Sequence, residues 1–201
     1  MKILYITSSI MQENSVSNEL AKAILSHVVS KNSTATVIHK DLGANPPAHL
    51  SLPVISAVQT RDVTGLTDAQ KAEYDAILQS IQELKEADLV IIGSGMYNLG
   101  VSGNLKAWID QVCQAGLTFS YTESGLQGLI EDKPVIVAST RGGFYSVAPN
   151  NVFDHQEPYL RDVLHLIGIK DVTFIRAEGV NVSPEIKQEA MMKAMAEIAK
   201  L

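Results

Sequence analysis

The chain has 201 residues, 46% of them hydrophobic and 19% charged. That supplies enough apolar side chain for one well-buried domain spanning 1–201, and too much for a disordered one. A net charge of −6 argues against a nucleic-acid or anionic-membrane partner, which requires a clustered basic surface, but leaves room for a small anion held by backbone N–H groups.

The opening Ile3-Leu4-Tyr5-Ile6 reads as a buried strand, and it is too short for the apolar region of a signal peptide. After it comes Ser8-Ser9-Ile10-Met11-Gln12-Glu13-Asn14-Ser15-Val16-Ser17, then an amphipathic helix striped by Leu20, Ile24, Leu25 and Val28. Hydroxyl residues at a strand-to-helix turn either cap the helix or donate to an anion at its N-terminus. Three serines, at 9, 15 and 17, exceed what capping needs. The loop carries no Lys or Arg, so an anion there is held by neutral donors and the helix dipole. It carries neither G-x-G-x-x-G nor G-x-x-x-x-G-K-[ST], which disfavours a Rossmann dinucleotide site and a P-loop.

Thr36-Val37-Ile38-His39 is a second strand. Residues 42–66, with Pro46, Pro47 and Pro53, lack periodicity and read as a long loop, either functional or covered by a partner. Thr67-Asp68-Ala69-Gln70 has capping-box form and opens a helix to about Glu86. Leu89-Val90-Ile91-Ile92 is a third strand, followed by Gly93-Ser94-Gly95-Met96-Tyr97-Asn98-Leu99-Gly100. The glycines permit close approach of a flat ligand, with Met96, Tyr97 and Leu99 as apolar surface. Ser94 is not a nucleophile elbow, because Ile92 and Met96 stand where glycines are required. A helix carrying Leu105, Trp108, Ile109 and Val112 follows, with Cys113 as a small apolar residue on its buried face. Residues 116–129 form an extended excursion in which Leu117–Tyr121 alternates like a strand, and Gly125 and Gly128 suit turns.

Val135-Ile136-Val137-Ala138 is a fourth strand, ending in Ser139-Thr140-Arg141-Gly142-Gly143. Arg141 suits either a surface ion pair or the anionic end of a ligand. Leu160, Val163, Leu164 and Ile167 stripe a helix closed by Gly168. A fifth strand, Val172–Ile175, and a final helix opened by Pro184 complete the chain. Uniformly apolar strands alternating with helices define a doubly wound α/β domain on a parallel sheet. Ligands of such sheets bind at the carboxyl ends of the strands, which directs attention to the loops after strands one, three and four. The five histidines, at 27, 39, 49, 155 and 165, show no metal-site spacing, so no metal is expected. Nor does any run approach the ~20 apolar residues of a membrane span, and a reduced cytoplasmic location is the expectation.

With these loops in hand, the chain resembles the FMN-dependent NADH-azoreductases of the flavodoxin-like quinone reductase branch. Ser8-Ser9 with Ser15-Val16-Ser17-Asn18, Asp41-Leu42 with Ala44-Asn45-Pro46, Met96-Tyr97-Asn98 and Leu105-Lys106 carry the likeness. So do Ala115-Gly116 with Thr118-Phe119, Tyr121-Thr122-Glu123, Arg141-Gly142-Gly143 and Ala177-Glu178-Gly179. The resemblance implies a flavodoxin-like, doubly wound, five-stranded parallel sheet with helices on both faces. It implies FMN as cofactor, its phosphate bound by Ser9, Ser15, Val16 and Ser17. Met96, Tyr97, Asn98 and Leu99 would lie along the ring, with the Asn98 backbone near N5 or O4. Thr140, Arg141, Gly142 and Gly143 would meet the pyrimidine edge, where amides around Gly142 and Gly143 stabilise charge on the reduced ring.

The family further implies a homodimer with the active site at its interface. Phe119 and Tyr121 then face partner or acceptor. NADH, or NADPH, is the implied donor, and quinones or azo compounds are the acceptors, used in turn at one site with ping-pong kinetics. Leu99 replaces an expected aromatic and Thr140 an expected serine; Thr keeps the hydroxyl, whereas Leu99 removes a ring and alters acceptor range. The rival from the residues is a flavodoxin-type electron carrier, disfavoured by the mild acidity and by the 116–129 excursion. A phospho-receiver domain is excluded, since Ser8-Ser9 and Ser94 occupy the places of its acidic groups.

Overall fold

The computed structural model describes residues 1–201. The five apolar runs are strands β1 (Lys2–Thr7), β2 (Thr36–Asp41), β3 (Leu89–Gly95), β6 (Val135–Arg141) and β7 (Val172–Glu178), and between the third and fourth of these lie two short ones, β4 (Phe119–Thr122) and β5 (Gly125–Gly128). The main sheet has the order β2-β1-β3-β6-β7 with every pairing parallel. In register, Leu4 lies beside Ile38 and Val90, and Ile92 beside Val137.

Because side chains alternate across a strand, β1, β3, β6 and β7 each feed two cores; the edge strand β2, expected to be buried like the others, leaves Val37 41% exposed and offers the core only the half-buried Ile38. Ile3, Tyr5, Leu89, Ile91, Ile136 and Ala138 pack with residues of α1 (Val16–Lys31) and α6 (Pro184–Ile198) on one face. Leu4, Ile6, Val90, Ile92, Val135 and Val137 pack on the other face against α2 (Leu52–Thr60), α3 (Asp68–Glu86), α4 (Gly103–Val112) and α5 (Glu157–Ile167). This two-sided burial explains why the runs are continuous rather than alternating.

The helix boundaries follow the sequence signals. Thr67 and Gln70 form the reciprocal capping box of α3, Ser183 caps α6 with Pro184 in its first turn, and Gly168, at φ 112°, ends α5.

Two expectations are corrected. The segment 42–66 is not all loop, since α2 occupies Leu52–Thr60 and buries Val54, Ala57 and Val58. Those three have the i, i+3, i+4 spacing of a helix face; Pro53 masks it, although proline is tolerated in a first turn. Gly128, expected at a turn, lies in β5, where a Cβ would come within 2.2 Å of the Gly168 nitrogen. It lets the β4–β5 hairpin lie on the end of α5. Cys113 is half-buried at the C-terminal cap of α4, and burial pushes its thiol up to about 12.

Candidate active site

The chain reverses its direction of winding between β1 and β3, so a crevice opens beyond their carboxyl ends. In it a cleft of about 270 Å³ lies between the loops after β1, β3, β6 and β7. From the first loop, Ser9, Ser15, Val16 and Ser17 line it; from the second, Met96 and Tyr97; from the third, Thr140, Arg141 and Gly142. Nine of the twelve residues expected to hold a cofactor thus converge on one cleft.

Ser15 is the N-cap of α1, accepting from the Asn18 amide at 3.2 Å, and its Oγ lies 3.0 Å from that of Ser17. An α-helix leaves its first-turn amides without intrahelical partners, so Val16 and Ser17 offer backbone donors beside these hydroxyls. Ser17 is buried, yet it faces the other strands. A Cβ on Gly95 would stand 3.5 Å from both the Ser17 and Thr140 hydroxyls and 3.6 Å from the Tyr97 ring. Ser9 accepts from the Met11 amide at 3.2 Å and is 3.1 Å from the Tyr97 hydroxyl, tying the first loop to the second. The Met96 amide donates to the Thr140 carbonyl at 2.8 Å, tying the second to the third. Ser8 is structural, buried and donating to the Gly93 carbonyl at 2.8 Å.

The remaining expected residues stand outside the cleft walls. Asn98 and Leu99 are the central pair of a tight turn closed by two backbone bonds between Tyr97 and Gly100, with φ values of 48° and 72°. Asn98 is exposed and Leu99 half-buried. Gly143 packs near the Tyr145 ring. Phe119 and Tyr121 meet edge to face at 5.6 Å on the hairpin, the first buried and the second 77% exposed.

Arg141 corrects both readings offered for it. It is neither on the surface nor free for an anion: at 1% exposure, its guanidinium pairs with Asp154 and Glu157 at 2.8 Å and Glu178 at 2.9 Å. Burial by itself would raise the Glu178 carboxyl, but the Ser146 hydroxyl, the Tyr145 amide and Arg141 together hold it below the usual value.

Sequence reasoning missed Met11, Asn14, Val180 and Asn181, which also line the cleft. The last two follow β7, which neighbours β6; the rule that ligands sit at strand carboxyl ends, extended to the fifth strand, finds them. No group of three or more His, Cys, Asp or Glu is placed to hold a metal ion.

Chemically, the cleft suits a phosphate monoester. Its donors are neutral hydroxyls and helix N-terminal amides, which bind anions through fixed dipoles. At Gly95 and Gly142 backbone, without a side chain, forms the cleft wall beyond it. A flavodoxin-like sheet with such a cradle at the switch point defines a nucleotide-binding α/β protein of the flavodoxin class. The flavodoxin-like fold family matches residues 1–201, and the chain belongs to it.

Within that family it is 45% identical over 199 residues to the FMN-dependent NADH:quinone oxidoreductase of Rhizobium meliloti (strain 1021), covering 99% of this chain and 96% of the relative. It is 43% identical over 198 residues to FMN-dependent NADH:quinone oxidoreductase 1 of Idiomarina loihiensis, covering 98% of each. Among solved structures, an azoreductase from Bacillus anthracis superposes with a TM-score of 0.89 at 26% identity, covering 100% of this chain and 97% of that one.

Proposed function

We propose that the chain is an FMN-dependent oxidoreductase that takes electrons from NADH and delivers them to quinones and azo compounds. The observation that carries this reading is the cleft itself, a cradle of hydroxyls and first-turn amides at the switch point. Similarity to relatives named as NADH:quinone oxidoreductases favours an enzyme over an electron carrier. FMN, when bound, would supply the two-electron chemistry, and a single cleft used in turn by donor and acceptor predicts ping-pong kinetics.

The residues divide the binding between them. Ser9, Ser15, Ser17 and the first-turn amides of α1 would hold the phosphate. Met96 and Tyr97 would flank the ring and Thr140 and Gly142 would meet its pyrimidine edge, while the Asn98–Leu99 turn and Gly143, outside the cleft walls, would reach only the parts of the cofactor that project beyond it. Phe119 and Tyr121 lie outside the cleft, and their acceptor contacts require a second copy.

Two features support a homodimer completing the site. At about 270 Å³ the cleft is smaller than the roughly 300–1,000 Å³ of sites that enclose a drug-sized ligand. Ile10 and Met11 of the first loop and Phe144, Val147, Val152 and Phe153 of the third leave apolar side chains between 46% and 66% exposed, surface that a partner would cover. No helix is long and apolar enough to cross a membrane, and a cytoplasmic setting suits the free thiol of Cys113.

The test is spectroscopic and kinetic. The purified protein is expected to be yellow and to oxidise NADH with a quinone, giving parallel double-reciprocal plots. A colourless protein that binds no added FMN overturns the reading.

A further inference from the structure

The buried ion cluster behind the cleft is built at some cost. Two guanidiniums, of Arg141 and Arg176, meet three carboxylates, of Asp154, Glu157 and Glu178, with Arg141 almost wholly out of water. Desolvation largely cancels the attraction in such clusters, and well-packed apolar residues often serve stability equally well. The geometry points to another use.

Glu178 is the last residue of β7, and its carboxylate gathers the loop after β6. It accepts from Arg141 Nη1 at 2.9 Å, from the Tyr145 amide at 2.9 Å, from the Ser146 amide at 3.0 Å and from the Ser146 hydroxyl. On the opposite side, three successive carbonyls of the same loop are taken by the chain after β7. The Arg141 carbonyl accepts from Val180 at 3.2 Å, that of Gly142 from Asn181 at 3.1 Å and that of Gly143 from Gly179 at 2.9 Å. In a planar trans peptide the N–H points opposite to the C=O. The amides of Gly142, Gly143 and Phe144 are therefore turned away from the β7 loop. None of the three donates to a protein acceptor. Successive free amides of this kind form an anion-seeking concavity, here at the edge of the cleft that Gly142 lines.

We propose that Glu178, acting through Arg141 and the Tyr145 and Ser146 amides, is a positioning residue that holds the Gly142–Phe144 amides toward the cofactor. The inference rests on the reading of the cleft as an FMN site. Glu178 touches no ligand itself; it sets where three donors stand, and those donors meet the polar edge of the ring.

The test compares Glu178→Ala and Glu178→Gln with wild type and with Lys133→Met. Lys133 donates to the carbonyls of Leu84, Lys85 and Ala87 at the end of α3, so its loss lowers stability away from the cleft. Glu178→Gln keeps the shape and an acceptor for the loop amides, and so preserves a folded variant. In the apoprotein, hydrogen exchange at Gly179, Val180 and Asn181 is expected to quicken in both Glu178 variants.

The FMN dissociation constant, read by fluorescence quenching, is expected to rise about tenfold to a hundredfold for the alanine variant, the scale of one or two misplaced hydrogen bonds. The rise is smaller for glutamine. The midpoint potential of bound FMN becomes more negative in both. Lys133→Met moves the melting temperature but neither the FMN affinity nor the potential. FMN affinity and potential unchanged in both Glu178 variants, or shifted equally by Lys133→Met, overturn the proposal while leaving the FMN reading intact. Failure of the wild-type apoprotein to bind FMN overturns both.

Discussion

Ser15 and Ser17 touch each other at 3.0 Å, yet only Ser15 also caps α1. Their losses therefore separate. Ser15→Ala is expected to cost about 1 kcal/mol of stability, the usual value of an N-cap, and to weaken FMN binding as well. Ser17→Ala is expected to leave stability nearly unchanged while weakening FMN binding by about 1.5–3 kcal/mol, the range for a hydrogen bond to a charged group. Paired denaturation and FMN titration check both; equal stability losses sink the division of roles. Leu99 offers a second test at this scale. At φ 72° it holds a conformation disfavoured for any side chain and worst for a β-branched one. Leu99→Val is expected to lower stability by about 1–2 kcal/mol, measured by denaturant midpoint. The serines were legible in the sequence because a hydroxyl-rich strand-to-helix turn has few uses. Arg141 was not, since the three carboxylates that bury it come from positions 13, 16 and 37 residues further along the chain.

At the scale of elements, the loops are set against one another by close approaches that side chains would block. Gly43 follows β2, and a Cβ there would lie 2.2 Å from the Ser9 carbonyl oxygen, a separation that backbone atoms do not tolerate. Gly43→Ala is expected to push the first loop off its position and weaken FMN binding at least tenfold, with a smaller effect on unfolding. An unchanged FMN affinity by fluorescence titration would falsify this. The five main strands and most helices could be read from period and caps, because each signal lies within a few residues of the element it marks. The helix α2 escaped because its three buried positions span only one turn and follow prolines. The hairpin β4–β5 was legible as an excursion, but its seat on α5 depends on Gly128 meeting Gly168, 40 residues away.

At the scale of the whole molecule, responses to ligand and to pH are expected. If FMN binds only the folded state, a concentration 100 times the dissociation constant adds about 2.7 kcal/mol of stability. For a chain of this size that raises the melting temperature by about 5–10 °C, and a thermal scan with and without FMN reads it directly. The Glu178 carboxyl sits below its ordinary value of 4.5 in the fold. A depressed folded value means that its contribution is present above the unfolded value and is lost as pH falls through the folded one. Both proteins are expected to lose FMN affinity as the FMN phosphate takes up its second proton near about pH 6; below the ordinary carboxyl value of 4.5 the wild type is expected to lose more, and Glu178→Gln to lack that further loss. A wild-type acid profile identical to that of the glutamine variant overturns the assignment.

The sequence by itself determined the parallel α/β architecture, the five main strands with the helices whose signals are local, and the three loops that line most of the cleft. These follow from apolar period, capping residues and glycine placement, all of which act over short stretches of chain. Only the tertiary structure decided which loop residues share the cleft, that the β7 loop joins them, and that the Arg141 guanidinium is paired within a buried ion cluster. Those outcomes depend on the strand order β2-β1-β3-β6-β7, which brings distant carboxylates, carbonyls and hydroxyls together, and no local signal encodes such a meeting.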